Sequence, residues 1–464
     1  MKRQTTPAAV TLKISDAKAG TNAVEENTSS DFTLSQENIE SLTIIKPDGW
    51  QATVSGNTLT VTAPGLKNPY AEQTGTIVLI GLSASGQAAT ASMTVGAAVP
   101  VDGAFLNALV QDSWRVNSEF DGGGEDIELD KDGDGFILLS DAARVKAIYA
   151  FGIGLSSLSG LEYFPALECL DCEDNNLTGT LDLSSYVNLR ELYCSETDIS
   201  ALDLSGCVNL EALYCNDTKL EKLDLSGYGK LQLLECNDNP NLSELDLSGC
   251  GKLQALYCNY NDDLSELDVS GCVNLQKLLC FNNPNLSTLD VSGCVNLQEL
   301  YCHYNDNLSE LKVSGCGNLQ TLNCSYTNLD KLDVSGCANL QTLSCNYNDI
   351  LSELKVSGCG NLQTLNCSYT NLDKLDVLNC VNLQSLNCSH TKLNTLDVSN
   401  CVNLQSLFCY NSSLTDDLDV STCSETLFLN STGNLGLTKI WRSAAQATAA
   451  GSWITQGVPV VQVP

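Results

Sequence analysis

NLRELYCSETDISALDLSGCVN, residues Asn188–Asn209, recurs with small changes along more than half of a 464-residue chain. Aligned on the cysteine of L-x-x-L-x-C, the copies fall at Cys172, Cys194, Cys215, Cys236, Cys258, Cys280, Cys302, Cys324, Cys345, Cys367, Cys388 and Cys409. Every spacing is 21 or 22 residues. Within one copy Leu189, Leu192 and Cys194 are spaced to turn inward. Tyr193 and Ser195 then point outward, because strand side chains change face at each residue. One copy cannot bury its apolar side alone; stacked neighbours close a continuous core.

After each strand comes a column of Asn or Thr, from Asn175 and Thr197 through Asn239, Asn261, Asn283 and Asn305 to Thr391. It predicts a side-chain ladder that satisfies buried turn backbone. Copies of 22 residues mostly carry Asn there and copies of 21 mostly Thr, as if one extra turn residue were absorbed locally. The second half of each copy, as in LSELDVSGC around Asp268, is too short and too rich in Val, Ser and Gly for a helix. A short extended segment on the convex side is expected. The L-x-x-L-x-(L/C)-x-x-(N/T)-x-L pattern is the leucine-rich repeat signature. L-D-V-S-G-C beside L-x-C-S/N resembles the repeats of Bacteroidetes surface proteins, over roughly residues 140–425. The fold class expected is mainly β: a leucine-rich repeat solenoid with short convex extended segments, preceded by an immunoglobulin-like β-sandwich. The expected domains are 1–98 (sandwich), 99–150 (N-terminal cap), 151–424 (repeats) and 425–464 (C-terminal cap).

Asp and Glu number 56 against 23 Lys and Arg, a net charge of -33. That balance argues against nucleic acid and anionic lipid, both of which need a basic patch. No apolar run of ~20 residues is present, so no transmembrane helix is expected. Met1–Val10 carries Lys2 and Arg3 without an apolar stretch, so no signal peptide is visible. Twenty-three cysteines fall at repeat positions: twelve in the strand column, ten after Ser-Gly or a variant of it, and Cys169. They read as buried free thiols acting as small hydrophobes.

Residues 8–96 hold about seven short Thr/Val/Ile-rich segments broken by turns such as Ser55-Gly56-Asn57 and Ser85-Gly86, the mark of an antiparallel β-sandwich. KPDGWQATVSGNTLTVTAP followed by AEQTGTIVLIGLSASGQ resembles the Bacteroidetes-associated carbohydrate-binding often N-terminal (BACON) domain. That resemblance implies glycan binding or a spacer, with Trp50 the one aromatic to consider for a ligand and a core position its simpler role. GAAVP, residues 96–100, reads as a linker, and AFLNALV as a short helix near Phe105. DKDGDGFILLSD, residues 130–141, fits the EF-hand pattern D-x-[DN]-x-[DN]-G. Asp130, Asp132, Asp134, the Phe136 carbonyl and Asp141 are the expected Ca²⁺ ligands. Asp141 stands where the motif wants Glu, which weakens the site. This order of calcium loop, G-[IL]-E-Y-F-x-x-L and repeats again resembles the Bacteroidetes proteins.

On the concave surface, Tyr193, Tyr214, Tyr257 and Tyr301 form one outward column. Tyr260, Tyr304, Tyr326, Tyr347 and Tyr369 form a second, with Tyr410 one place away. Tyrosine offers flat apolar area and a polar tip for recognition; a stacking ladder that only stabilises the sheet is the competing role. His303 and His390 lie four coils apart, and no nucleophile-elbow, zinc-protease or phosphate-loop motif occurs, so no enzyme is expected. The convex Asp column, including Asp203, Asp224 and Asp268, is expected to bond nearby Ser or backbone N–H groups. These readings point to a monomeric, non-enzymatic binding protein that recognises a protein ligand through the concave face. The alternatives are a glycan-binding protein, acting through the sandwich or the Tyr columns, and a passive spacer. The expected location is extracellular, or an outer-membrane surface lipoprotein whose signal is not in this chain.

Overall fold

In a computed structural model of the chain, residues 10–18, 21–25, 28–64, 74–85, 87–101, 103–120 and 124–463 are described. They belong to two compact units, Met1–Asn176 and Leu177–Pro464.

The second unit is a β-solenoid. Each coil contributes a three-residue strand such as Glu191–Tyr193, Ala212–Tyr214 or Leu233–Glu235. Among the described residues twelve such strands of this unit form one parallel sheet, which ends at Phe428–Asn430. The central leucines pair in register, Leu192 with Leu213 and Leu213 with Leu234, and all are fully buried. The opposite side carries short strands, as the Val-Ser-Gly composition predicts. Most of these pair in twos: Thr178–Asp182 with Asp198–Asp203, Lys222–Asp224 with Glu244–Asp246, Thr288–Asp290 with Glu310–Lys312, and Lys331–Asp333 with Glu353–Lys355, while the last, Leu418–Asp419, joins Ile440–Arg442 and Val460–Gln462 in a set of three. One face is therefore a continuous sheet and the other an interrupted one.

Each coil must bury a turn, and the asparagine column makes this possible. The side chain of Asn283 is fully buried. Its Oδ1 accepts the Asn261 N–H at 2.8 Å, and its Nδ2 donates to the carbonyls of Cys258 at 3.0 Å and Cys280 at 2.8 Å. Asn239, Asn261 and Asn305 repeat the arrangement. Thr327, Thr370 and Thr391 have a shorter reach, and each hydroxyl donates to the Cys carbonyl of its own coil. That is how 21-residue copies manage without the bridging amide.

All 23 cysteines are buried. Burial pushes the Cys280 and Cys324 thiols up to about 12, so they stay protonated. In the second column the thiol also donates to a carbonyl of the preceding coil, as in Cys207 to Leu183 at 3.2 Å and Cys316 to Val291 at 3.2 Å. The Asp column closes turns onto Ser. Asp290 accepts the Ser292 hydroxyl at 2.6 Å and its N–H at 3.0 Å, which holds this carboxyl below the usual range. After the last coil, the amide of Gln446 donates to the carbonyls of Val420, Cys423 and Ser424, and the indole of Trp453 donates to Leu427 at 2.7 Å. These bonds satisfy carbonyls that a further coil would otherwise cover.

The first unit opens with eight strands: β1 (Thr11–Ile14), β2 (Thr21–Glu25), β3 (Ser29–Glu37), β4 (Ser41–Ile45), β5 (Gln51–Ser55), β6 (Thr58–Thr62), β7 (Thr74–Leu82) and β8 (Ala88–Pro100). Two sheets result, one in the order β1-β3-β6-β5 and one in which β8 pairs with β7 and β2 and β7 with β4. The β5–β6 hairpin turns at Gly56, where φ is +57°. The β7–β8 hairpin is also formed, although Gly86 lies outside the described residues. The β2–β8 pairing is parallel, so the sheet is not purely antiparallel. Trp50 is fully buried and takes the core role.

The segment read as a linker is not one. Residues 96–100 are the end of β8, and Ala97, Ala98 and Val99 are fully buried. β10 (Phe136–Leu138) pairs with it antiparallel, Ile137 opposite Val99. (β9 is the two-residue strand Val116–Asn117.) The small residues serve close approach: a Cβ on Gly96 would stand 2.8 Å from Leu138 Cδ2 and 2.9 Å from Thr21 Cγ2. α1 (Gly103–Gln111) buries Phe105, Leu106 and Leu109. The one-turn α2 (Leu139–Ala142) leads into β11 (Ala147–Tyr149), which pairs parallel with β12 (Cys169–Asp171), Ile148 against Leu170.

Asn283→Ala removes the partner of one buried N–H and a donor to two carbonyls. An unfolding free energy lower by about 3 kcal/mol is expected. Urea unfolding followed by circular dichroism measures it, and an unchanged midpoint would refute a structural role for the ladder.

Candidate functional site

The outward positions of the continuous sheet divide into two halves. In the N-terminal half Tyr193, Tyr214, Tyr257 and Tyr301 end their strands and are half-buried. The Tyr193 and Tyr214 rings stack at 4.4 Å with planes 7° apart, and the Tyr193 hydroxyl donates to Glu191 at 2.9 Å. Charges are interleaved. Arg190 donates twice to Glu211, both bonds at 3.1 Å. Lys277 bridges to Glu299 at 3.1 Å, stands 5.8 Å from the Tyr257 ring, and has its pKa raised by the Glu299 carboxylate.

The second tyrosine column is not on the strands. Tyr260, Tyr304, Tyr326, Tyr347 and Tyr369 occupy the turn just after them, with φ between 54° and 60°. Glu196, Asp217, Asp238, Asn282, His390 and Asn411 fill the same place in other coils. A left-handed backbone costs a bulky residue roughly 1–2 kcal/mol. Ring stacking offsets it here. Neighbouring centroids lie 4.5 Å apart for Tyr304–Tyr326, 4.4 Å for Tyr326–Tyr347, 4.3 Å for Tyr347–Tyr369 and 4.1 Å for Tyr369–His390, with planes between 8° and 21°. Tyr410 meets His390 edge-on at 5.3 Å, and Tyr260 meets Phe281 edge-on at 5.3 Å. Both faces of Tyr326, Tyr347 and Tyr369 are therefore covered by neighbouring rings, which leaves edges and hydroxyls for any ligand. The signal in the sequence was the company these tyrosines keep: Asp, Asn and His tolerate left-handed turns.

No protein-family model matches the sequence, and no curated protein does. Among solved structures the chain is similar to the functional domain of InlJ from Listeria monocytogenes, which includes a cysteine ladder. Identity is 27%, the TM-score is 0.44, and the match covers 65% of this chain and 57% of that one. An internalin (inlF) from Listeria monocytogenes matches at 19% identity and a TM-score of 0.43, over 69% of this chain and 90% of that one. The Toll–Spätzle complex from Drosophila matches at 16% identity and a TM-score of 0.36, over 62% and 48%. The chain thus spans little more than half the length of the InlJ domain structure.

In the first unit the acidic loop folds around its own first residue. Asp130 accepts the N–H groups of Asp134 at 3.0 Å and Gly135 at 3.1 Å, and Asp134 accepts that of Phe136 at 3.1 Å. Gly133 and Gly135 take φ of 67° and 84°. Carboxylate oxygens of Asp130, Asp132 and Asp134 all lie within 4.8 Å of one another. The Lys18 ammonium stands against two of them, 2.9 Å from Asp132 and 2.6 Å from Asp134. Asp141 is not among the converging three; it faces Arg144 at 3.5 Å. Three carboxylates and two left-handed glycines fit an oxygen-ligated cation, whereas Asp141 and Lys18 as placed do not. The Lys18 ammonium offsets part of their negative charge.

Tyr347→Ala removes two stacked contacts at the rim. Loss of about 2 kcal/mol of stability is expected, read as a lower urea midpoint. A midpoint equal to that of the unaltered protein would mean the ladder contributes nothing to the fold.

Proposed function

We propose that the chain is a non-enzymatic binding protein of the cell exterior, and that its continuous-sheet face, the concave one, holds a protein ligand. The observation that carries this reading is the mixed surface from Glu191 to Tyr301. Tyrosine anchors there are held by stacking and hydrogen bonds, with Arg190–Glu211 and Lys277–Glu299 between them. Fixed aromatic area bordered by paired charge is how protein interfaces concentrate binding energy. No helix among the described residues is long and apolar enough to cross a membrane. The N-terminal sheets serve, in this proposal, as an immunoglobulin-like spacer, since Trp50 is withdrawn into the core. Affinity capture from extracellular fluid, followed by hydrogen exchange on the captured pair, tests the reading. Protection is expected over Glu191–Tyr193 and Ala212–Tyr214, and Tyr214→Ala is expected to weaken binding by about 2 kcal/mol. Capture that is indifferent to Tyr214→Ala and Tyr257→Ala would sink it.

Calcium binding at Asp130, Asp132 and Asp134 is part of the proposal. Oxygen-only ligands select a hard cation, and the shared carboxylates make Lys18 its competitor. Titration calorimetry is expected to give a Kd of about 10⁻⁴ to 10⁻³ M. Lys18→Ala should tighten it and Asp130→Ala abolish it. Absence of heat at millimolar calcium, in both the unaltered chain and Lys18→Ala, would refute the site.

A further inference from the structure

The C-terminal half of the same sheet has a different chemistry. Its first outward row is Thr321, Thr342, Thr364, Ser385 and Ser406, in register from strand to strand. Its second row is Asn323, Ser344, Asn366 and Asn387, in register likewise. Rows of this kind repeat at about 4.8 Å between strands and lie about 7 Å apart along them. From Gln320 to Tyr410 the outward positions of these strands and of the turn residues directly after them carry no acidic or basic side chain apart from His390. That is unexpected in a chain of net charge -33. The charges of these coils lie elsewhere, among them Lys331, Asp333, Glu353 and Lys355 of the interrupted face.

The second row is held in place. The Asn323 amide oxygen accepts the Ser325 hydroxyl at 2.6 Å and the Ser325 N–H at 3.2 Å. Asn366 with Ser368 and Asn387 with Ser389 repeat both bonds. Each amide is fixed through its oxygen, and its NH₂ group has no hydrogen-bond partner among the described residues. In the first row the hydroxyls of Thr321, Thr342, Thr364, Ser385 and Ser406 are half-exposed and have no hydrogen-bond partner among the described residues. The sheet thus presents neutral donors and acceptors that are rigid, unpartnered and repeated at the pitch of the coils. Residues 345–377 are a near copy of 302–334, so one such patch is present twice.

We propose that this charge-free strip, Thr321 to Ser406, binds an uncharged, unbranched polysaccharide, lying across the coils and held by hydroxyl and amide hydrogen bonds rather than by ring stacking. The ligand class follows from the surface. Its groups repeat, so the partner repeats. They are neutral hydrogen-bonding groups, so the partner is rich in hydroxyls. The surrounding negative field excludes an acidic polymer. Covered ring faces along Tyr326–Tyr369 exclude stacking as the main contact. Each bond competes with water and is weak alone, so affinity rises with chain length as subsites act together. The site uses other residues than the proposed protein-binding half and stands or falls separately.

Affinity electrophoresis of the full chain through gels containing a mixed-linkage β-glucan, pullulan, glucomannan or hydroxyethyl cellulose, all neutral and essentially unbranched, tests the proposal, with alginate as the anionic control. Retardation is expected in at least one neutral gel, unchanged between low and high salt, and absent in alginate. The monosaccharide should not relieve it. The double variant Thr342→Val/Thr364→Val, near-isosteric and expected to melt as the unaltered chain does, should weaken retardation at least tenfold. Thr364→Glu, which puts charge in the strip, should do the same. Tyr214→Ala should leave it unchanged. Retardation by none of the four neutral polymers, or retardation that survives in both a folded Val/Val variant and Thr364→Glu, would overturn the proposal.

Discussion

A turn that has to be buried sets the terms for the solenoid. Each coil must reverse its chain next to the core, where backbone groups cannot reach water and an unpaired one costs free energy. The asparagine at that point bonds its own coil and its neighbour at once, as Asn261 does to Cys236 and Cys258. Its oxygen also takes the N–H of the coil before, that of Asn239. Stacking distance and register are thereby fixed together, and the leucine and cysteine columns can fill a core of constant width. The rows of outward side chains inherit the same regularity.

Much of this was legible because a period carries its own evidence. The inward columns, the asparagine ladder, the Asx turns of the Asp column and the absence of convex helices all followed from one copy read against the next. The rim tyrosines did not. Alternation was carried two residues beyond Cys258 to Tyr260, but the strand Ala255–Tyr257 ends before the cysteine and the backbone turns left-handed. GAAVP was misread for a related reason. Small residues mark loops, but they also mark strands that others cross closely, and Gly96 is of the second kind. Lys18 was out of reach altogether, since its partners Asp132 and Asp134 lie 114 and 116 residues away in sequence.

The two halves of the continuous sheet also differ in what maintains them. In the N-terminal half several outward residues have particular partners, as Tyr193 with Tyr214 and Lys277 with Glu299, and a substitution there would disturb a local network. In the C-terminal half the pattern is carried by repetition, and duplication of whole coils extends it without new design. One chain can thus keep a specific surface and a lengthening one on the same scaffold.

The interrupted face has a mechanical corollary. The ladders Lys222–Asp224 with Glu244–Asp246, Thr288–Asp290 with Glu310–Lys312, and Lys331–Asp333 with Glu353–Lys355 each join two neighbouring coils. The step between Lys312 and Asp333 has no such ladder among the described residues. The back of the array is therefore seamed. Bending or tension that strains this side concentrates at the seams, while the unbroken sheet in front acts as the hinge leaf, so the array yields in blocks of coils rather than evenly along its length.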